Sequence, residues 1–185
     1  MGLVRTYTET EIAKILKESE GEGLAFEGGT GHAEGQHELV PVGRGRDHTD
    51  VAALERRVLD ERKKRVGAFD GCQAKAIAWA LNTAAGQTTL ALLNNSGVWY
   101  VFADINVANQ NFRMKVSEAD APKIGPLTKP ATRDATVSYV SMKLMDNAGN
   151  LHIRTAYPLP DPPANGARCQ VFYRGGGQCD QDLPI

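Results

Sequence analysis

Residues 136–158 read TVSYVSMKLMDNAGNLHIRTAYP, and this stretch predicts an antiparallel β-hairpin. Two runs rich in β-branched and aromatic residues flank the Asn/Gly turn at 146–150, which is the usual signature of two paired strands. We expect the second strand to end at Pro158, because proline has no N–H to donate to a ladder. The hairpin therefore fixes a β-sheet in the C-terminal part of the chain.

Side chains on a strand point alternately to its two faces. A regular second strand therefore puts one set of side chains on a single face, namely Leu151, Ile153, Thr155 and Tyr157. The intervening His152 and Arg154 belong to the other face. Ordinary β-propensity is by itself enough to explain Thr and Tyr here. The alternative is that the two hydroxyls are functional.

The remaining segments predict helices before strands. Thr8 to Glu11 form a capping box for a first helix that stops at Gly21. Residues 21–47 hold eight glycines, which predicts irregular backbone. Further helices are predicted over 47–65 and over 70–84 (with Asp70 and Gln73 at its start), strands over 88–93, 98–103 and 111–116, and a loop over 121–130. The fold class is α+β, with N-terminal helices packed on a C-terminal antiparallel β-sheet.

Length and composition fit one α+β domain over 1–160, followed by a Gly/Pro-rich tail over 161–185. The chain of 185 residues is 42% hydrophobic, enough to bury a core without disulfides. Neither a leader pattern nor a long apolar run is present, so we expect a soluble domain that does not enter a membrane. If it is exported, another segment must carry it.

Charge and cysteine content argue against two functions, broad electrostatic binding of nucleic acids and metal binding through cysteines. The net charge of −1 argues against a broad electrostatic nucleic-acid binder. Residues 40–66 nevertheless carry eight basic and five acidic side chains, either a solvated helix face or a local phosphate-binding surface. Cys72 fits a buried helix position, and Cys169 with Cys179 could form one disulfide. None of the cysteine spacings is typical of a metal site.

The glycine-rich segment also contains His32 and His37, and His48 follows it. Imidazole titrates near neutral pH and can accept and return a proton in one reaction cycle. A single histidine in a loop is more often solvent-exposed than catalytic. The histidines alone therefore leave the chemistry open.

Taken in order, these elements resemble the ribonuclease A-like toxin domains of bacterial contact-dependent inhibition and polymorphic toxin systems. The matching features are Gly31-His32 with His37, a helix with Leu54 and Arg57, Ala68-Phe69-Asp70 before an Ala-rich helix, and the closing strand HIRTAYP at 152–158. The ordered set spans about residues 28–158. An insertion-like stretch at 40–46 leaves open the choice between His37 and His48 and between Arg57 and Arg56.

The resemblance implies a metal-independent endoribonuclease that uses no cofactor. It implies His37 as general base or acid, Arg57 as phosphate ligand, and Thr155 and Tyr157 as hydrogen-bond donors to the phosphate. Either His32 or Tyr157 would make the second proton transfer. The expected product is a 2′,3′-cyclic phosphate, and tRNA is one candidate substrate.

The resemblance also implies a biological setting. Such a domain is delivered from a producer cell as part of a larger exported protein, and it acts in the target-cell cytoplasm. Its partners would be RNA and a cognate immunity protein, so the expected state is a monomer or a toxin–immunity heterodimer. Two rivals are a non-catalytic binding module and an NAD-targeting toxin. The latter needs a carboxylate near the sugar, and no acidic residue is predicted on the face of Thr155 and Tyr157.

Overall fold

The computed structural model describes residues 2–20, 31–39, 49–60, 64–119 and 130–184, and its architecture is α+β. In chain order the elements are α1 (Glu9–Ser19), α2 (Ala33–His37), α3 (Val51–Asp60), β1 (Arg65–Phe69), α4 (Gln73–Asn82), α5 (Ala84–Leu93), β2 (Val98–Asn106), a 3-10 turn (Ala108–Gln110), β3 (Arg113–Glu118), β4 (Ala131–Thr136), β5 (Tyr139–Asn147), β6 (Asn150–Leu159), β7 (Cys169–Tyr173) and β8 (Gln178–Asp180). The helices lie mostly in the N-terminal part and pack on antiparallel sheets. The predicted fold class is confirmed.

The strands form two antiparallel sheets. One has the order β1-β3-β4, and the other has the order β6-β5-β2-β7-β8. The main cluster of buried apolar side chains lies between the five-stranded sheet and helices α1, α4 and α5, and includes Ile12, Ile77, Leu90, Val101 and Ile153. A separate small cluster, made of Leu54, Val58, Val66, Ala68 and Ala119, joins α3 to the three-stranded sheet.

The first helix forms as predicted. The Thr8 hydroxyl accepts a hydrogen bond from the Glu11 backbone N–H at 3.2 Å, and the Glu11 carboxylate accepts one from the Thr8 N–H at 2.8 Å. This reciprocal pair is a capping box and satisfies two N–H groups that the helix itself leaves without partners. Ile12 and Leu16 lie on the buried face, as the spacing indicates.

The segment 88–93, predicted as a strand, is instead part of helix α5. Thr83 caps this helix by accepting a hydrogen bond from the Gly86 N–H at 3.1 Å. The backbone of Gly86 lies so close to α4 that an added Cβ would be 2.2 Å from the Ala80 carbonyl oxygen. The β-branched Thr89 fits the helix because its hydroxyl donates to the Ala85 carbonyl at 2.9 Å. Tertiary packing thus overrides the local β-propensity.

Two predicted helix boundaries are wrong. The helix expected over 47–65 ends at Asp60, and Arg65 begins β1, which pairs with β3 and so is held by tertiary contacts. Asp70 does not cap α4, whose N-cap residue is Cys72. The Gln73 N–H donates instead to the Glu38 carboxylate at 3.1 Å, so a distant side chain satisfies this helix end.

The hairpin is confirmed, but its second strand is not regular. Lys143 pairs with Thr155 and Leu144 pairs with Ile153, so Arg154 is an extra residue that forms a β-bulge. Paired residues share a face, and therefore Thr155 and Tyr157 lie together on the face opposite Ile153. The prediction that Thr155 and Tyr157 share a face is confirmed. The prediction that Leu151 and Ile153 lie on that same face is wrong.

The strand also continues through Pro158 to Leu159. Because β6 is an edge strand of its sheet, an outward-facing proline nitrogen costs no hydrogen bond there. Strand β4, which was not predicted, has the polar sequence ATRDAT and alternates little in burial. It forms by pairing with β3 along its whole length.

The segment expected as a tail, 161–185, contributes two strands to the five-stranded sheet. β7 pairs with β2 and buries Cys169 and Val171, and β8 pairs with β7. Cys72, Cys169 and Cys179 are all free thiols in this structure. Burial raises the pKa of the Cys169 thiol to about 11. The segment is thus part of the sheet.

Some predictions concern residues outside the described ranges. These are His48, most of the glycine-rich segment and the loop at 121–129. The part of that segment that is described includes α2, a short helix where irregular backbone was expected. Among the described residues, no helix has the length and apolar character needed to cross a membrane.

Candidate active site

A cavity of about 500 Å³ opens between α2, α3, β1 and the C-terminal half of β6. All five residues singled out from the sequence line it, namely His32, His37, Arg57, Thr155 and Tyr157. Arg65 and Gln36 also contribute to the wall. Arg56 is not among the lining residues and its side chain is exposed, so the cavity distinguishes the two neighbouring arginines.

Gly31 brings the first histidine against the bulge of β6. The Gly31 N–H donates to the Ser19 carbonyl at 2.7 Å, and the His32 N–H donates to the Arg154 carbonyl at 3.0 Å. A Cβ on Gly31 would lie 2.8 Å from the Ile153 carbonyl oxygen, closer than real Cβ atoms approach. The Gly-His pair therefore has a steric reason, because only glycine allows this approach between backbones.

His37 lies at the end of α2 and is largely buried, with 7% of its surface exposed. Its ring centroid is 5.5 Å from that of Tyr157 and 5.8 Å from that of His32. Two imidazoles and a phenol are therefore grouped on one side of the cavity. Groups this close can act on the same bound molecule in two separate proton transfers.

Gln73 fixes α2 against β6. Its side-chain amide donates to the Ala33 carbonyl at 2.7 Å and to the Ala156 carbonyl at 3.3 Å. Ala33 opens the helix that carries His37, and Ala156 lies between Thr155 and Tyr157. One buried side chain thereby sets the distance between the histidines and the two hydroxyls. In the sequence, Gln73 is recognisable only as part of a helix start.

Arg57 enters the cavity from α3. Its Nη1 donates to the Gln36 carbonyl at 2.9 Å, and the Thr49 hydroxyl donates to the same oxygen at 2.9 Å. These bonds tie α3 to α2 and aim the guanidinium towards the histidines. A guanidinium presents several N–H donors in one plane, an arrangement that fits two phosphate oxygens.

Arg65 adds a second guanidinium to the cavity wall. It forms ion pairs with Glu118 and, at 2.7 Å, with Asp161. These carboxylates neutralise its charge, which weakens Arg65 as a ligand for an anion. The sequence placed Arg65 at the end of a helix and so missed its position here.

Tyr157 is oriented by Arg168, which is held in turn by the buried Asp104, and neither residue was predicted from the sequence. Arg168 forms an ion pair with Asp104 at 2.8 Å and donates to the Tyr157 hydroxyl at 3.3 Å. Asp104, only 2% exposed, also accepts from the Ser141 hydroxyl at 2.5 Å. These bonds, above all the one to Asp104, raise the pKa of Arg168. The sequence did contain one signal for this pair of residues, because Asp104 is an acidic residue within the otherwise largely apolar strand β2.

Asp104 also corrects one argument from the sequence. It is opposite Ser141, which is opposite Tyr157, so all three side chains share one face of the sheet. The prediction that no acidic residue shares this face is wrong. The carboxylate is, however, held by Arg168 and Ser141 and does not line the cavity.

Comparisons of the chain with protein-family models, with curated proteins and with solved structures found no match. Within the described residues, no three His, Cys, Asp or Glu side chains come together in a metal-binding arrangement. The cavity with its histidines, arginine and hydroxyls is thus the main evidence on function.

Proposed function

We propose that this protein is a metal-independent endoribonuclease that cleaves RNA through a 2′,3′-cyclic phosphate. The observation that carries the proposal is the convergence of His32, His37, Arg57, Thr155 and Tyr157 on one cavity. His32 and His37 lie just before and on α2, Arg57 lies on α3, and the two hydroxyls lie on β6 near the other end of the chain. Their functional groups are those that metal-free phosphodiester cleavage requires.

The reaction assigns one task to each group. His37 takes the proton from the ribose 2′-hydroxyl, whose oxygen attacks the adjacent phosphorus. The bond from phosphorus to the 5′-oxygen breaks, and the leaving oxygen receives a proton from His32 or Tyr157. Arg57 and the Thr155 hydroxyl hold the phosphate oxygens, whose negative charge increases in the transition state. The proton balance is complete without a further reactant.

The biological role that fits this activity is that of a toxin domain. It would be delivered as part of a larger exported protein and would act on cytoplasmic RNA, with tRNA as one candidate. A cognate immunity protein with an acidic surface would neutralise it, because Arg57 offers a positive group for such a surface to cover. Expression in bacteria should therefore be toxic unless that partner is co-expressed.

The decisive experiment incubates purified protein with single-stranded RNA in EDTA and identifies the products by mass spectrometry. We expect 2′,3′-cyclic phosphate ends from the wild type and, for His37→Ala, a rate lower by a factor of roughly 10²–10⁴. Arg57→Ala should also lose most activity, whereas Arg56→Ala is the matched control on the same helix. Undiminished cleavage by His37→Ala, or no cleavage of any RNA by the wild type, would overturn the proposal.

A further inference from the structure

The face of the five-stranded sheet that carries Thr155 and Tyr157 continues away from the cavity. By the strand register, Lys143 lies next to Thr155, Phe102 next to Lys143, and Tyr100 follows two residues from Phe102 along β2. Phe172 is opposite Tyr100 on β7. All of these side chains are partly exposed, in contrast to the opposite face, which is buried in the main cluster.

The aromatic rings on this face form a path made of two pairs of rings in contact. The ring centroids of Phe102 and Tyr157 are 6.4 Å apart. Tyr100 and Phe172 are stacked, with centroids 4.3 Å apart and planes inclined by 18°. Trp99 contacts Tyr100 at 5.1 Å, because the bulge of β2 against β7 places it beside that ring. The path thus leads from the edge of the cavity across β2 to β7, and Lys143 lies between the two pairs, opposite Phe102 and over the ring of Tyr100.

Cationic groups accompany the rings. The Lys143 Nζ lies 3.5 Å from the ring centroid of Tyr100, and the Arg168 Cζ lies 4.4 Å from that of Phe102. Burial and the nearby charge of Arg154 lower the pKa of Lys143. Among the described residues, neither Lys143 nor Arg154 has a carboxylate within ion-pair distance. A bound anion would therefore relieve the repulsion between these two cations.

We propose that this face, from Tyr157 through Phe102 to Tyr100 and Phe172, binds single-stranded RNA next to the scissile phosphate. The inference deepens the proposed nuclease function and rests on it. Aromatic rings stack on unpaired bases of any sequence, and lysine or arginine beside them binds the connecting phosphates. A strip of rings with Lys143 between them, which begins at Tyr157 in the cavity wall, matches this ligand.

The binding test uses a fluorescent ten-nucleotide RNA in which every 2′-hydroxyl is methylated, so that it cannot be cleaved. Fluorescence anisotropy should give a Kd at least five-fold weaker for Tyr100→Leu and for Lys143→Gln than for the wild type. Tyr173→Leu is the matched control, because Tyr173 follows Phe172 on β7 and points to the other face with 39% exposure. Lys143→Gln leaves the aromatic rings in place, so it still tests RNA binding by this face if Tyr100→Leu does not fold.

Kinetics separate this proposal from the nuclease function itself. We expect Lys143→Gln to raise KM for a ten-nucleotide substrate at least five-fold and to leave cleavage of a dinucleotide unchanged, since the dinucleotide fills only the cavity. Equal binding by all variants, with cleavage still lost in His37→Ala, would overturn the RNA path and leave the nuclease intact. A wild type that neither binds nor cleaves RNA would overturn both. If Tyr100→Leu and Lys143→Gln bound RNA as the wild type does but no longer bound a protein partner, this face would be assigned to that partner instead.

Discussion

The two walls of the cavity rest on hydrophobic clusters of very different size. The wall with the histidines and hydroxyls is formed by α2 and β6, whose Ala33 and Ala156 belong to the main cluster. The wall with Arg57 and Arg65 is formed by α3 and β1. These two elements contribute four of the five residues of the small cluster, and Phe69 at the end of β1 belongs to the main cluster. The proton-transferring groups are thus held by most of the molecule, and the arginine by a small part of it.

This difference predicts that Arg57 can change position while the rest of the fold stays intact. Regions with few buried apolar contacts open locally at a lower free energy than the core does. Leu54 and Val58 flank Arg57 on α3, so any opening of the small cluster moves the guanidinium. The histidine wall should remain in place during such an opening.

The largest expected effect is in the main cluster. Ile153→Ala should lower the free energy of unfolding by about 3–4 kcal/mol, because Ile153 is fully buried and the neighbouring strands cannot close the resulting cavity. Urea denaturation followed by circular dichroism measures the change. Val51→Ala is the control, since Val51 is 40% exposed, and it should shift stability by less than about 0.5 kcal/mol. Similar values for the two variants would contradict this picture of the core.

A smaller effect is expected in the small cluster. Leu54→Ala should cost about 2–3 kcal/mol, and it should act mainly on α3 and β1. Amide hydrogen exchange should become faster in these two elements while α4 and α5 stay protected. Uniform acceleration over all the helices would show that both clusters unfold as one unit. The separation of the two walls would then be wrong.

The smallest expected effect is a change in the free energy of unfolding with pH. It comes from His152, which lies on the face of β6 that carries Thr155 and Tyr157. Burial, assisted by the charge of Arg154, lowers the pKa of His152 to about 4 from an ordinary value of 6.5. The unfolded chain therefore binds a proton that the folded chain does not between these values, and stability falls as pH falls from about 6.5 to 4.

Between pH 7 and pH 5 the loss should reach about 1–2 kcal/mol. His152→Gln should remove this part of the pH dependence of the unfolding free energy. Urea denaturation at several pH values compares the two proteins. An unchanged slope in the variant would mean that other groups cause the acid sensitivity.

Sequence patterns predicted the parts of the fold that depend on local interactions. The capping box at Thr8 and the turn at 146–150 involve residues three or four apart, and both form as expected. The identity of β1, β4 and α5 depends on what each segment packs against. Thr89 looks like a strand residue until the contact between Gly86 and α4 is known.

The candidate site was predicted as a set of residues, and the structure brings that set together. The way in which it does so could not be read from the sequence. The bulge at Arg154 is visible only from the pairing with β5, and the contact of Gln73 with two carbonyls joins segments that are 40 and 83 residues away. Arg168 and Asp104 were missed for the same reason, because their partnership spans 64 residues.

The place of β7 in the sheet has a consequence for the order of assembly. β2 is synthesised about 70 residues before β7, yet β7 is its direct neighbour and lies between β2 and β8. During synthesis on the ribosome, β2 therefore has one edge uncovered until residues 169–173 are available to pair with it. Such long-range pairing is slow to form because the chain must first close a large loop. The ring path over β2 and β7 can therefore exist only after nearly all of these 185 residues have emerged.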